Sequence, residues 1–250
     1  YGHRFEGYWQ DVGTVHSYWE TQMELLDDHP PLDLYDREWL VHTRSEDRAP
    51  ARIGPTASVH RSLISHGCQI AVTVEHSVLS PGVRVDPGAI VRDSVIMVDT
   101  HIRAGAVVDH AIIDKEVSVG PNAIVGTGLD MKKPNEDEPE RLNTGITVVG
   151  KRAVIPASAR IGRNVRIAGD VRPADFKSRR VKTGGSVEHR VRATSRKKRG
   201  PGSAPCPPST PPPWTTGWPS SSWSPSIAVS VTASAAGTCG STGGSDPTSG

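Results

Sequence analysis

Residues 149–171 read VGKRAVIPASARIGRNVRIAGDV and repeat every six residues. A branched residue opens each repeat, and a small or branched residue follows four places later. The two sets are Val149, Ile155, Ile161 and Ile167, and Ala153, Ala159, Val165 and Val171. This pattern is typical of a left-handed parallel β-helix, in which six residues form one face of a triangular coil. The first residue is predicted to point into the prism, and the small one to lie near a corner where a larger side chain would clash.

Earlier segments continue the repeat. They begin at Ile53, and their first positions are Ile53, Val59, Val85, Val91, Met97, then, after a one-residue slip, Ile102, Val108, Val119 and Val125. Each coil covers its interior only by stacking on the next. We therefore predict a mainly β protein with one solenoid of hexapeptide repeats over residues 53–175. Residues 129–143 are charged, contain two prolines and lack the period, so they are predicted to form a loop outside the stack.

Composition limits the remaining possibilities. The 250 residues carry a net charge of +2 and three cysteines, too few and too scattered for a disulfide framework or a metal cluster. The near-balanced charge gives no argument for a nucleic-acid partner, and no apolar run is long enough to span a membrane. We expect a cytoplasmic protein in which Cys68 stays reduced. Because Tyr1 lies within an apparently structured segment, we also expect further residues to precede it.

The first thirty residues predict a helix. Thr14 is a good N-cap, and the apolar residues that follow have the spacing of one helix face. They are Val15, Tyr18, Trp19, Met23 and Leu26. Residues 27–31 (DDHPP) would end the helix. Such a stripe needs a partner surface, which we expect on a part of the protein N-terminal to this chain.

Three segments together resemble the glucose-1-phosphate adenylyltransferase family: GYWQDVGTVHSYWE (7–20), LDLYDREWLVHTR (32–44) and APARI (49–53), leading into the hexapeptide repeats. The resemblance extends from Phe5 to about Glu188. It implies that residues 1–31 are the short, partly helical end of a Rossmann-like nucleotidyltransferase domain. Residues 32–52 would be a linker and residues 53–175 the β-helix.

The resemblance also implies chemistry. Enzymes of this family make ADP-glucose and pyrophosphate from ATP and glucose 1-phosphate for glycogen or starch synthesis. Asp11 would hold a Mg²⁺ ion, and Trp9 would line the sugar-phosphate pocket. From the residues alone, Asp11 could equally be a turn or helix-start aspartate and Trp9 a core anchor. No segment matches the family's glycine-rich phosphate loop or its second metal carboxylate. We therefore expect these 250 residues alone to be inactive, with Mg²⁺ bound only when the missing domain is present.

Two other functions remain open. The first is a non-catalytic module for assembly and regulation: in the family, the β-helix contributes to a homotetramer and to effector sites near the domain junction. Arg44, Arg48 and Arg52 lie at that junction and could bind a phosphorylated effector, or could simply be solvated. The second is a hexapeptide-repeat acyltransferase with a histidine base. Its candidates are His60, His66, His76, His101 and His110, for which the alternative is an outward-facing structural position.

The last 75 residues, 176–250, break the pattern. Residues 176–199 are strongly basic, which we interpret as a solvated tail rather than a nucleic-acid site, because no aromatic residue interrupts the run after Phe176. Residues 200–250 are rich in Pro, Ser, Thr and Gly and are predicted to be disordered. Their loss of charge also suits a frame-shifted end of a GC-rich gene. The residues that select nucleotide and sugar are not among those that match the family.

Overall fold

The computed structural model describes residues 2, 4–38 and 46–189. One helix, α1 (Val15–Glu24), precedes twenty short strands that form three parallel sheets in this part of the chain. Sheet A contains β1 (Arg52–Ile53), β4 (Gln69–Ile70), β7 (Arg84–Val85), β10 (His101–Ile102), β13 (Ser118–Val119) and β16 (Val154–Ile155). Sheet B contains β2 (Val59–His60), β5 (Thr73–Glu75), β8 (Ile90–Arg92), β11 (Val107–Asp109), β14 (Ile124–Thr127), β17 (Arg160–Gly162) and β19 (Arg180–Val181). Sheet C contains β3 (Leu63–Ile64), β6 (Val78–Leu79), β9 (Val95–Ile96), β12 (Ala111–Ile113), β15 (Thr147–Val149), β18 (Arg166–Ile167) and β20 (Ser186–Val187).

Each coil passes through sheets A, B and C in turn, and every strand pairs in parallel with its equivalent in the next coil. In each strand one of the residues that pair in register points into the prism, as Val85, Ile102 and Val119 do in sheet A, and these inward residues form one continuous apolar core. In the stretch that decides the fold, all eight predicted inward and corner residues are buried. The predicted β-helix is confirmed, and its narrow interior is filled by Val, Ile and Ala.

The corner between sheets B and C departs from the six-residue spacing. In four successive coils only five residues separate the inward side chains, as from Val91 to Ile96. The expectation that Met97 points inward is therefore wrong: Ile96 is fully buried, and Met97 packs outside the prism. The tighter turn is made by residues with positive φ: Arg61, His76, Asp93 and His110.

A ladder of serines closes this tight corner. The Oγ atoms of Ser62, Ser77 and Ser94 accept the backbone N–H of the residue one coil further on and donate to the carbonyl two residues back. Buried backbone groups left unpaired by the shorter turn would cost free energy. The serines supply the missing partners, so five residues suffice at this corner.

The prism continues beyond residue 175, where the sequence predicted it to end. A short 3-10 turn (Pro173–Asp175) replaces the strand of sheet A, and β19 and β20 then extend sheets B and C. Val181 and Val187 keep the six-residue spacing, but Lys and Arg on either side conceal it in the sequence. The basic tail predicted for residues 176–250 is therefore wrong for residues 176–189. Residues 190–250 lie outside the described residues.

The predicted loop, residues 129–143, falls between the end of β14 at Thr127 and the start of β15 at Thr147. It folds along later coils rather than standing away from them. The buried side chain of Asn164 holds its two ends: Oδ1 accepts the N–H of Gly145 at 2.6 Å, and Nδ2 donates to the carbonyls of Met131 and Lys133 at 3.0 and 2.7 Å.

Asn135, at the centre of this loop, is also buried. Its Nδ2 donates to the carbonyl oxygens of Asn164 and Gly185 at 2.9 and 3.0 Å, while its Oδ1 accepts the N–H groups of Asp137 and Glu138. The two asparagines thus fix the loop to the last coils of the prism.

Helix α1 packs on the outer face of sheet C, so its partner is the β-helix itself. The expectation of a partner on a preceding part of the protein is wrong for this stripe. Met23 and Leu26 are buried against outward-pointing residues that align from coil to coil. That outer stripe consists of Leu63, Val78, Val95, Ile112 and Val148. Thr14 caps the helix as predicted, in a capping box with Ser17.

Candidate functional site

The two residues expected to bind substrate and metal lie just before α1. Trp9 is 71% exposed and is not part of the core of the described residues. The Oδ1 atom of Asp11 accepts the N–H of Gly13 at 3.0 Å, which is the hydrogen bond of a turn aspartate. The side chain of Asp11 is otherwise exposed, so its position does not conflict with a metal ligand. Both residues lie a few positions before α1, which is docked on sheet C.

Phe5 and Tyr8 of the same segment are exposed aromatic residues, as Trp9 is. The Tyr8 hydroxyl donates to Oε2 of Glu24 at 2.9 Å, which ties the segment to the end of α1. Partial burial, followed by this carboxylate, raises the pKa of Tyr8.

A complete metal centre is not present in residues 2, 4–38 and 46–189: no group of three or more His, Cys, Asp or Glu side chains could hold an ion there. Mg²⁺ binds through one or two carboxylates together with substrate phosphates. The exposed carboxylate of Asp11 fits such a partial role. Its remaining ligands would come from a bound substrate or from residues beyond the described ones.

Of the three arginines expected to be regulatory, Arg44 lies outside the described residues. Arg48 is already engaged: Nη1 and Nη2 donate to the two carboxylate oxygens of Asp99 at 2.5 and 3.0 Å, and Nη2 also donates to Glu46. The Asp99 carboxylate raises the pKa of Arg48, and the guanidinium lowers that of Asp99. Arg48 therefore straps the linker across the corner between sheets C and A.

Arg52 lies beside a shallow groove of about 250 Å³ on sheet A. The groove forms because only four residues separate the inward Ile70 and Val74, whereas six separate Val85 and Val91. Because this corner is two residues shorter, a notch remains between neighbouring coils. Arg52 and Arg84 flank it two strands apart, and neither side chain has a hydrogen-bond or ion-pair partner within the described part of the chain. The groove is also lined by Gly54, Pro55, Gln69, Ala71, Asp86 and Pro87.

The histidines of the prism fall into two groups. His60 and His66 are exposed, as the structural interpretation expects. His76 and His101 have acidic partners, with His76 Nδ1 2.7 Å from Asp93 Oδ1 and His101 Nε2 2.8 Å from Asp86 Oδ2. Each partner lies about one coil away, 17 or 15 residues along the chain. A search of the sequence for His and Asp residues separated by about one coil could have found these pairs.

His110 is partly buried and lies against α1. Its ring centroid is 4.5 Å from that of Trp19, with an interplanar angle of 63°. The indole Nε1 of Trp19 donates to the carbonyl of Asp93 at 2.8 Å. No pattern in the sequence predicted this contact, because it joins a helix residue to a corner residue more than 70 positions away.

Within the described ranges, no helix combines the length and apolar character that crossing a membrane requires.

Comparison with known proteins agrees with the fold and with the N-terminal segments. Residues 49–149 match the family model "GlmU-like, C-terminal hexapeptide". A glucose-1-phosphate adenylyltransferase of Thermomicrobium roseum is 56% identical over 186 residues, which cover 74% of this chain and 43% of the relative. Proteins of the same name from Acetivibrio thermocellus and Fervidobacterium nodosum are 40% and 41% identical, over 75% and 68% of this chain and 43% and 40% of their own lengths.

The chain thus spans less than half the length of the curated relatives it matches. The match of 186 residues is longer than the stretch 49–149 that the family model covers. The chain is therefore a homologue of the C-terminal portion of the glucose-1-phosphate adenylyltransferases.

Proposed function

We propose that this chain is the C-terminal part of a nucleotidyltransferase that makes ADP-glucose and pyrophosphate from ATP and glucose 1-phosphate. The observation that carries the proposal is the 56% identity to a relative of that name across 186 residues. The docked helix supports it, since α1, which directly follows Trp9 and Asp11, packs against the prism. In this arrangement the β-helix serves assembly and regulation.

The roles of the two residues follow from their exposure and chemistry. Mg²⁺, when bound, neutralises the phosphate oxygens and aligns the displacement. The exposed carboxylate of Asp11 can provide one of its ligands, while Gly13 holds the carboxyl group in place. The exposed indole of Trp9 can pack against a sugar ring. Neither residue could perform the transfer alone, because no phosphate-binding loop is found in the sequence.

A chimera tests the proposal directly. Residues 5–189 of this chain would replace the matching part of the T. roseum relative, and pyrophosphate release would be measured from ATP, GTP or dTTP with glucose 1-phosphate. We expect a folded chimera that requires ATP and Mg²⁺, with Asp11→Asn lowering kcat at least tenfold and Asp33→Asn, on the nearby linker, leaving it unchanged. A chimera that folds but releases no pyrophosphate, while the intact relative does, would contradict the proposal.

Regulation is proposed for the groove beside Arg52. Two guanidinium groups without ion-pair partners, separated by an amide side chain, are suited to a phosphorylated effector. In the chimera, Arg52→Gln should raise the concentration of effector needed for half-activation. Arg160→Gln is the matched control, because Arg160 lies on sheet B, several coils away from the notch. Equal effects from both substitutions would argue against a site at Arg52.

Assembly through the β-helix, with a homotetramer as the expected state, is a further part of the proposal. Light scattering of the purified chain would determine its mass in solution. A monomer at micromolar concentration would contradict assembly through this domain.

The acyltransferase alternative is favoured by one observation, the His101–Asp86 pair on the outside of sheet A. Its test is hydrolysis or transfer from acetyl-CoA, lost in His101→Gln.

A further inference from the structure

We propose that the docking of α1 on sheet C is sensitive to acid, and that His110 is the residue through which acid releases the helix. The inference is independent of the reaction that the whole protein catalyses. It rests on the position of His110 at the corner between sheets B and C. The helix, the end of the 129–143 loop and several charged side chains surround its ring there.

The first part is the helix. The Trp19 indole packs edge-on against the His110 ring and donates its N–H to the carbonyl of Asp93 at 2.8 Å. Asp93 and His110 occupy the same corner position in successive coils, both with positive φ. Trp19 therefore spans two coils, and its place depends on the ring of His110.

The second part is the returning end of the 129–143 loop. His110 Nε2 lies 3.3 Å from the carbonyl oxygen of Thr144. A carbonyl oxygen only accepts hydrogen bonds, so Nε2 must carry a proton in the docked state. In the neutral ring the other nitrogen, Nδ1, is then unprotonated, and a second proton would bind there and make the ring cationic.

The third contribution comes from the nearby charges, which act in both directions: the carboxylates of Asp93 and Asp109 favour a cation, and Arg163 opposes it. Two carboxylates face His110, but each has another partner: Asp93 pairs with His76 at 2.7 Å, and Asp109 pairs with Arg163 at 2.6 Å. Arg163 adds a fixed positive charge on the same side. The helix contributes only the neutral indole of Trp19, and the loop only a carbonyl group.

The expected direction of the pH dependence follows from these contacts. Burial, and to a lesser degree Arg163, lower the pKa of His110 below its ordinary value of 6.5, against the opposing effects of the Thr144 carbonyl and of the Asp93 and Asp109 carboxylates. When the helix leaves, the ring becomes exposed and regains an ordinary pKa. Docking is therefore at full strength above about pH 6.5. It weakens as pH falls from there to the lower docked pKa, by at most tenfold per pH unit for one proton.

Release would have a structural consequence. α1 directly follows the segment that carries Trp9 and Asp11, and its stripe is the attachment of that segment to the prism. Acid would free this segment without unfolding the β-helix, since His110 lies outside the prism core.

Hydrogen exchange of the full chain, corrected for the intrinsic effect of pH, would test the proposal between pH 7.5 and 5.0. We expect protection of the α1 amides to fall several-fold, while amides of β7–β12 keep theirs. His110→Gln retains a donor in place of Nε2 but cannot titrate, so its α1 protection should not change with pH. His60→Gln, which replaces an exposed histidine at the end of β2, should respond like the unaltered chain.

Unchanged α1 protection down to pH 5.0 in the unaltered chain would overturn the proposal, as would an equal loss in His110→Gln. If that substitution prevents folding, an NMR titration of the unaltered chain decides the matter. The midpoint of helix release must then follow the ionisation of the His110 ring. Release that tracks another histidine instead would refute the role of His110.

Discussion

Replacing Asn164 with alanine should destabilise the last coils strongly, although the side chain lies outside the prism core. The amide makes three buried hydrogen bonds, to Gly145, Met131 and Lys133. At about 1 kcal/mol net each, their loss costs about 3 kcal/mol. Asn164 also has φ +54°, and alanine in this left-handed region costs about 1 kcal/mol more than asparagine. The expected total is about 4 kcal/mol.

A second substitution separates the two contributions. Asn164→Gly loses the same hydrogen bonds but adopts positive φ without strain, so it should cost about 3 kcal/mol, roughly 1 kcal/mol less than alanine. The assay is urea unfolding followed by circular dichroism, with hydrogen exchange to locate the change. The amides of residues 130–146 should lose protection before those of β4–β12. A decrease of less than 1 kcal/mol in the free energy of unfolding for Asn164→Ala, with the loop amides still protected, would refute the role of Asn164 in holding the loop.

Three further predictions concern the helix and the linker. Trp19→Ala should weaken α1 docking by about 2 kcal/mol, about half the loss for a fully buried tryptophan; unchanged hydrogen exchange in α1 would contradict this. A Cβ at Gly82 would lie 2.0 Å from Nη1 of Arg48, and φ there is +77°, so Gly82→Ala should cost about 1–2 kcal/mol in thermal unfolding and displace the linker. Finally, Arg48 lowers the pKa of Asp99, so this pair stabilises the fold above about pH 4 and is lost as pH falls through the lower folded value. Arg48→Gln should remove that part of the acid dependence, and an identical acid unfolding profile would count against it.

The prism could be predicted from sequence because its interior imposes one simple rule. Ile155, Ile161 and Ile167 must each fill the same space, and a repeated space selects a repeated residue type. The rule does not depend on distant residues, so four repeats were enough. The same logic shows why Met97 was misplaced. Three of the four five-residue corners carry a serine of the hydrogen-bonded ladder, and a single serine in a coil is not a recognisable signal until the register is known.

The outer surface was harder to predict, because what lies there is set by contacts between unlike elements. The stripe of α1 predicted a buried face correctly, but not that Val95 and Ile112 would cover it. Both look like ordinary repeat residues, and only the register shows that they point outward. Arg48 illustrates the converse: a linker arginine looks free in the sequence, yet Asp99, 51 residues away, binds it.

The arrangement of these outer contacts limits how regulation could work in this chain. The groove beside Arg52 lies on sheet A, whereas α1, with Trp9 and Asp11 before it, lies on sheet C. A ligand of a few atoms in the groove cannot contact the helix directly, because the corner between sheets C and A separates them. That corner is where Arg48 binds Asp99, four residues before Arg52. An effector bound at Arg52 would therefore act first on the linker segment that Arg48 holds, and could reach the helix only through that segment.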